Sequence, residues 1–166
     1  MFVAGLGLLG SVVAPIVPSR STVSKITEKP SEDAVAIESA GVYAPIVQGG
    51  DEALESGAWH RFPDRGNPVK GGTFILSAHS FVFNWNPMQT RQDSYFYNLN
   101  KTKVADAVVI QWQGKTYRYK VSKVYDVKPD AVEIEAPSKT ARLVLYTCTT
   151  GGSADGRVVV EALPVT

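Results

Sequence analysis

Three side chains that could support nucleophilic catalysis stand at the ends of apolar runs. Cys148, the only cysteine of the chain, closes one such run and is followed by the turn-forming cluster 149–156. His79 closes another apolar run, and Arg157 opens a third. A hairpin through 149–156 would return the Arg157 guanidinium beside the sulfur. The pattern predicts a thiol that meets substrate at a strand end, with His79 as its base.

The residues around the cysteine resemble the signature of the sortases. These are bacterial cysteine transpeptidases that join surface proteins to cell walls or to each other. The segment 145–148, Leu-Tyr-Thr-Cys, matches the Leu-x-Thr-Cys motif of that family, and His79 and Arg157 follow the order of its essential histidine and arginine. The resemblance covers most of the chain. Two departures leave the subclass open: Ala78 stands where glycine is common, and 104–106, Val-Ala-Asp, replaces the usual Gly-Asp.

The resemblance implies a role for each of the three side chains. Cys148 would attack a backbone carbonyl, His79 would protonate the departing amine, and Arg157 would hold the substrate backbone or stabilise the oxyanion. A permanent charge and a planar fork that donates two hydrogen bonds suit arginine to that role.

The resemblance also implies the substrates. A Leu-Pro-x-Thr-Gly-like sorting signal would be cleaved between Thr and Gly, and a thioester on Cys148 would pass the acyl group to an amine. The implied partners are surface proteins that bear a C-terminal sorting signal, and an amine of peptidoglycan or a pilin lysine as acceptor.

Further residues are substrate-binding candidates by the same resemblance. Ala78 and Thr147 adjoin the two reacting side chains. The connection 127–138 precedes the cysteine strand, and in the family the corresponding segment forms one wall of the substrate groove. Its candidate contacts are Val127, Pro129, Val132 and Ile134. Each of these four could instead belong to the core.

The composition limits the number of domains, the kinds of partner and the cysteine-based sites that the chain can have. With 166 residues and 44% hydrophobic content, the chain suits one domain with a sizeable core. The 17 basic and 16 acidic side chains give a net charge of +1, which leaves no electrostatic footprint for nucleic acid. A single cysteine excludes an internal disulfide and a multi-cysteine zinc site.

No cofactor or metal is predicted from the sequence. The acidic residues Asp130, Glu133 and Glu135 could contribute to a calcium site, as in some sortases. A solvated loop is the preferred interpretation of this segment.

The N-terminal region is interpreted as a targeting segment followed by a linker. Residues 1–19 are apolar and carry no charge, which favours a truncated signal-anchor, although a spanning helix needs ~20 apolar residues. The alternative is a buried helix or strand of the domain. Residues 20–40 are rich in Ser, Thr, Lys, Glu and Pro and are predicted to be a linker. The expected location is extracytoplasmic, with the N-terminus in the cell membrane.

The folded domain is expected to span residues 41–166. Many short strands with turn signals between them predict an all-β barrel or sandwich. The resemblance implies a closed barrel of about eight strands with one or two short helices. The first strand, 41–47, contains Pro45 and is expected at a sheet edge. Gln113-Gly114 predicts a hairpin turn, and the spacing of aromatic residues after Ser94 favours a short helix capped by that serine.

Other features of the sequence favour ordinary structural roles. His60 lies in a polar stretch without cysteine or carboxylate at ligand spacing and is predicted to be structural. Phe81, Phe83 and Trp85 alternate, which is typical of core or of a groove wall. The last four residues, Leu-Pro-Val-Thr, have the form that a sortase leaves on its cut signal. We regard this as coincidence, because a final strand that ends in Ala-Leu-Pro is ordinary.

Two alternative functions remain open on sequence grounds. An L,D-transpeptidase-like wall enzyme would also combine Cys, His and Arg, but the Ser-His-Gly-Cys run of that family is absent. A non-catalytic surface β-domain for binding would bury Cys148 as a small hydrophobic residue.

Overall fold

The computed structural model describes residues 32–165. The predicted signal-anchor 1–19 and the first part of the predicted linker therefore lie outside the described residues. The described part contains nine strands: β1 (Ala34–Ile37), β2 (Val42–Val47), β3 (Ala58–Arg61), β4 (Gly66–Asn67), β5 (Gly71–Ser77), β6 (Ala107–Trp112), β7 (Lys115–Val127), β8 (Arg142–Thr149) and β9 (Gly152–Pro164).

Eight of these strands close into a barrel. Their order is β3-β2-β1-β6-β7-β9-β8-β5, and the antiparallel pairing of β3 with β5 joins the two ends. Strand β4 pairs only with the start of β5 and stands outside the ring. The pairs β2–β3 and β5–β8 are parallel, and the other pairs of the ring are antiparallel. The predicted all-β closed barrel of about eight strands is confirmed.

Strand β8 shows how side chains divide between the two faces of the barrel. Leu143 and Leu145 join the large buried cluster that fills the interior, whereas Val144 and Tyr146 join a smaller cluster with Ile134. Because successive side chains of a strand point to opposite faces, the smaller cluster lies on the outer face. We call it the outer cluster; it consists of Ile75, Ile134, Val144, Tyr146 and Val159.

The start of the barrel corrects two expectations. Strand β1 lies within the predicted linker 20–40, yet all four of its residues are buried and pair with β2, and the first three also pair with β6. Strand β2 lies between β1 and β3 and is not at a sheet edge. Proline has no backbone N–H to donate, and none is needed at Pro45. The bond to the β1 side comes from the next residue, because the Ile46 N–H donates to the Asp33 carbonyl at 2.7 Å, and the ladder to β3 begins only at Ile46.

The helical segments also differ from expectation. Helix α1 (Pro87–Asp93) forms before Ser94 and not after it, and the Asn86 side chain caps it by accepting from the Met88 N–H at 3.0 Å. Ser94 follows the end of this helix, and its Oγ donates to the Thr90 carbonyl at 2.6 Å. The expected later helix is only the 3-10 turn Leu99–Lys101. Between residues 32 and 165, no helix has the length and apolar content required to cross a membrane.

Two other predictions are confirmed. Strands β6 and β7 form a hairpin in which both Gln113 and Gly114 have positive φ, as a two-residue turn of this kind requires. His60 is 2% exposed, with Nε2 at 3.1 Å from the Gly66 carbonyl oxygen, and it packs edge-on against Phe74 and Trp112. Burial lowers the pKa of this imidazole, so His60 is a neutral core residue.

Candidate active site

The parallel ladder between β5 and β8 brings His79 beside Cys148. The last pair of the ladder is Ser77 with Tyr146. The next step continues past the end of β5, because the Thr147 hydroxyl donates to the Ala78 carbonyl at 2.7 Å. The same progression sets His79 next to Cys148, so the two residues predicted to react lie at adjacent strand ends.

Backbone hydrogen bonds fix the position of His79. The residue before it is held by Thr147, and the His79 carbonyl accepts from the N–H of Phe96, a fully buried residue, at 3.0 Å. Ala78 and Thr147 are themselves 3% exposed. The contact that the structure gives these two substrate-binding candidates is therefore with each other, and their part in substrate binding stays a prediction.

On the other side of Cys148, strand β9 supplies Arg157. Cys148 and Arg157 are direct partners in the antiparallel ladder, as the predicted hairpin requires. One guanidinium nitrogen, Nη1, donates to the carbonyls of Ser153 at 2.8 Å and Gly156 at 2.9 Å. A Cβ at Gly156 would stand 2.8 Å from the Val127 carbonyl oxygen, so only glycine lets the strands approach this closely. The first part of β9 thus orients the arginine.

A cavity of about 630 Å³ opens at this end of the barrel. It is lined by Cys148 and His79, by Phe81 and Tyr97 beyond β5, and by the start of the β8–β9 loop, whereas Arg157 is outside the lining. Cys148 is partly exposed. A cysteine that served only as a buried hydrophobic residue would not face a cavity, and this exposure disfavours the non-catalytic alternative.

Glu55 is a site residue that sequence reasoning missed. It ends the 3-10 turn Asp51–Glu55, and its Oε1 lies 3.2 Å from Nε2 of His79. A carboxylate only accepts, so the imidazole donates from Nε2 in this contact. The pair is open to solvent, with His79 31% and Glu55 71% exposed. The two residues are 24 positions apart in sequence, and no motif connects them.

The predicted groove wall lies away from the cavity lining. Val127 is half-buried against the outer cluster, and Ile134 is 5% exposed within it. Pro129 and Val132 are exposed, Val132 by 74%. Of the four predicted contacts, these two present side chains to solvent, and substrate contact for all four stays a prediction.

The alternating aromatic residues after His79 are not core, which corrects the prediction for them. Phe81, Phe83 and Trp85 are 57%, 69% and 95% exposed. Phe81 lines the cavity and lies 6.3 Å from Tyr97 between ring centroids, and Phe83 packs edge-on against Trp85 at 5.8 Å. Only Phe81 keeps the groove-wall interpretation.

The acidic residues of the β7–β8 connection differ from one another. Glu133 is exposed, but Glu135 is buried and accepts from the Tyr146 hydroxyl at 2.6 Å. Across residues 32–165, no three His, Cys, Asp or Glu side chains are grouped so that they could hold a metal ion.

Comparison with known proteins points to one family. A family model described as the sortase domain matches residues 35–165. Sortase A from Corynebacterium diphtheriae, as a lid mutant, is 29% identical over 82% of this chain and 71% of that chain, with a TM-score of 0.68. No curated protein matches the chain at a significant level.

More distant sortase structures show the same fold. Sortase C1 of GBS Pilus Island 1 is 24% identical over 82% of this chain and 65% of that chain, with a TM-score of 0.67. A sortase D5 transpeptidase of Clostridium perfringens is 19% identical over 88% and 97% of the two chains, also with a TM-score of 0.67. At these identities the likeness concerns the fold alone.

Proposed function

This chain belongs to the sortase family of transpeptidases, and on that premise we propose that it transfers an acyl group through a thioester on Cys148. The observation that carries the proposal is the order of three neighbouring strands at one end of the barrel. The strand with Cys148 lies between the strand end that delivers His79 and the strand that delivers Arg157. The thiol faces a cavity large enough for a peptide segment.

The first half-reaction forms the acyl-enzyme. The Cys148 sulfur attacks the carbonyl carbon of the Thr residue in a Leu-Pro-x-Thr-Gly-like signal, and a carbon–sulfur bond forms. The Thr–Gly peptide bond then breaks, and protonated His79 gives its proton to the departing glycine nitrogen. The Glu55 carboxylate accepts a hydrogen bond from Nε2 and restrains the imidazole for this step.

The second half-reaction reverses these roles. An acceptor amine attacks the thioester carbon and loses a proton to His79, the carbon–sulfur bond breaks, and the thiolate returns. Arg157 stabilises the negative oxygen in both half-reactions or holds the substrate backbone. Its orientation is fixed before substrate arrives, because Nη1 donates to two backbone carbonyls at the start of β9.

The donor and acceptor follow from the family. We expect a surface protein with a C-terminal sorting signal as donor, and a peptidoglycan amine or a pilin lysine as acceptor. Such substrates require an extracytoplasmic enzyme, and residues 1–19 are proposed to anchor it to the cell membrane.

A transfer assay tests this function. Purified protein is incubated with a quenched Leu-Pro-x-Thr-Gly peptide library and triglycine, and the products are identified by mass spectrometry. We expect the acyl part on triglycine and an intermediate whose mass increases by that acyl part on Cys148. Cys148→Ala should lose both, because no other thiol exists in the chain.

Iodoacetamide labelling provides the control for a negative result. A catalytic thiol at the mouth of a cavity should be alkylated in the native protein. A Cys148 that is inert to alkylation, together with absent cleavage, would exclude the enzyme and favour a binding domain. Arg157→Lys keeps the charge but loses the planar fork, and we expect at least a tenfold lower transfer rate.

A further inference from the structure

The connection 128–141 between β7 and β8 is bound to the barrel through its backbone. Three consecutive carbonyls of this connection accept hydrogen bonds from arginine side chains that lie outside it. The Ile134 and Ala136 carbonyls accept from Arg142 Nη2 at 3.4 and 3.0 Å, and the Glu135 carbonyl accepts from Arg65. The Ala136 carbonyl also accepts from the Thr73 hydroxyl at 2.9 Å. A loop held by so many donors has a fixed position.

The side chain of Glu135 adds a buried network to these contacts. Its Oε1 accepts from the Tyr146 hydroxyl at 2.6 Å and lies 3.1 Å from Nε of Arg61. Arg61 Nη1 in turn donates to the Tyr146 oxygen at 3.0 Å. Glu135 is 8% exposed and Tyr146 5% exposed, so the hydrogen bond between them is shielded from water and is stronger for it, whereas the Arg61 side chain is 35% exposed. We call these three residues the clamp.

The clamp links the connection 128–141 to β8, the strand that carries Cys148. Tyr146 precedes Cys148 by two residues on β8, so both side chains leave the same face of the barrel, roughly 7 Å apart along the strand. Ile134 packs on the same face against Val144 and Tyr146. A displacement of Glu135 would therefore change the distance between the connection and the sulfur.

We propose that Glu135 and Tyr146 are positioning residues for the acyl donor, which they serve by fixing the 127–138 wall relative to Cys148. The inference rests on the proposed function and on the prediction, made from the family resemblance, that segment 127–138 contacts the donor. Arg61 completes the clamp by supplying the charge that a buried carboxylate requires. Val132 and Pro129, the exposed candidates on the wall, then meet the donor without a loop-ordering step, which lowers the entropic cost of binding.

Steady-state kinetics of Tyr146→Phe and Glu135→Gln test the inference. The donor is the best-cleaved member of the Leu-Pro-x-Thr-Gly library, and the acceptor is triglycine. Loosening the wall weakens donor binding and leaves the chemical step intact, so we expect KM for the donor to rise about tenfold and kcat to stay within about twofold. The rate of Cys148 alkylation by iodoacetamide should not change, because that small reagent needs no wall.

Matched controls separate the clamp from general effects of substitution. Tyr119→Phe removes a hydroxyl from a buried tyrosine of the interior cluster, and Glu38→Gln changes an exposed glutamate of the 3-10 turn Glu38–Ala40, which lies outside the wall. Both should keep the KM of the unmodified protein. If Glu135→Gln does not fold, Tyr146→Phe decides the question alone.

The outcomes are distinguishable. An unchanged KM in both clamp variants would overturn the positioning role and leave the transpeptidase intact. A parallel fall in the alkylation rate would also overturn it, because the clamp would then act on the thiol. Absence of acyl-enzyme in the unmodified protein would instead refute the proposed function, and the positioning role with it.

Discussion

Two loops beside the reacting strands are ordered in opposite ways. The connection 128–141 buries its apolar residue Ile134 and is bound by donors of the barrel itself. The loop 80–86 is instead bound to helix α1: the Val82 N–H donates to Ser94 Oγ, and the Asn84 N–H donates to Thr90 Oγ1, both at 2.9 Å. Its aromatic side chains point to solvent, Trp85 with 95% of its surface exposed. Hydrogen bonds thus hold this loop while most of the surface of its aromatic side chains stays exposed.

This difference predicts that the connection 128–141 contributes more to the free energy of unfolding than the loop 80–86 does. Burial of a large apolar side chain is worth roughly 1.5–3 kcal/mol relative to leaving it exposed, and only the first loop obtains it. The second loop obtains hydrogen bonds of about 1 kcal/mol each. Substitutions in the two loops should therefore differ in effect even where the residues removed are similar in size.

The largest effect is expected for Ile134→Ala. This change removes a nearly buried side chain from the outer cluster and should lower the free energy of unfolding by about 3 kcal/mol. Urea unfolding followed by circular dichroism measures it. Val132→Ala in the same turn removes a side chain that is 74% exposed and should cost less than about 0.5 kcal/mol. Equal losses for the two variants would mean that the connection is not packed as described.

An intermediate effect is expected at alkaline pH. Burial, with the hydrogen bond to Glu135, raises the pKa of Tyr146 from 10.0 to about 12. An unfolded tyrosine loses its proton near pH 10, whereas folded Tyr146 keeps it up to about pH 12. The contribution of the neutral Tyr146 side chain to the free energy of unfolding is therefore fully present below pH 10 and is lost as pH rises to about 12. Tyr146→Phe should therefore lose less stability than the unmodified protein across this window, by up to about 2 kcal/mol.

Urea unfolding at several pH values between 8 and 12 measures this difference. Trp85→Ser, which changes no ionisable group, should parallel the unmodified protein at every pH. A Tyr146→Phe curve that also runs parallel would show that Tyr146 is not held in its neutral form by the clamp.

The smallest effect is expected for the exposed aromatic residues. Trp85→Ser and Phe83→Ser should each change the free energy of unfolding by less than about 0.5 kcal/mol, because neither side chain is buried. Asn84→Ala between them removes the donor to Asp93 Oδ2, a contact of 2.8 Å, and should cost about 1 kcal/mol. Urea midpoints compare the three, and a larger loss for Trp85→Ser than for Asn84→Ala would reverse our description of this loop.

The strands around the site could be predicted because apolar runs and turn residues in the local sequence identify them. Continuous apolar runs identify β5 and β8, and the Gln113-Gly114 turn identifies the β6–β7 hairpin. The order of Cys148, His79 and Arg157 follows from the ends of such runs. The alternation of Phe81, Phe83 and Trp85 predicted that these side chains share one face of the segment. It did not show that this face is exposed to water, because the sequence does not reveal whether another part of the chain packs on it.

Other elements depend on contacts between distant residues. Strand β1 has only four apolar residues after a polar segment, and its burial follows from pairing with β2 and β6. The clamp joins Arg61 to Tyr146 across 85 positions. No local periodicity records such a contact, so neither the clamp nor the partnership of Glu55 with His79 could be predicted.

The parallel pairing of β5 with β8 also bears on the order of events during folding. The hydrogen bond between Thr147 and Ala78 spans 69 positions of sequence, and the whole of β6 and β7 lies between them. Contacts of such separation form slowly, because a long loop must close before they contribute. Cys148 and His79 therefore meet only when the barrel closes, and a newly made or partly unfolded chain carries the thiol without the imidazole beside it. In the proposed mechanism, catalytic competence and completion of the fold are therefore one event.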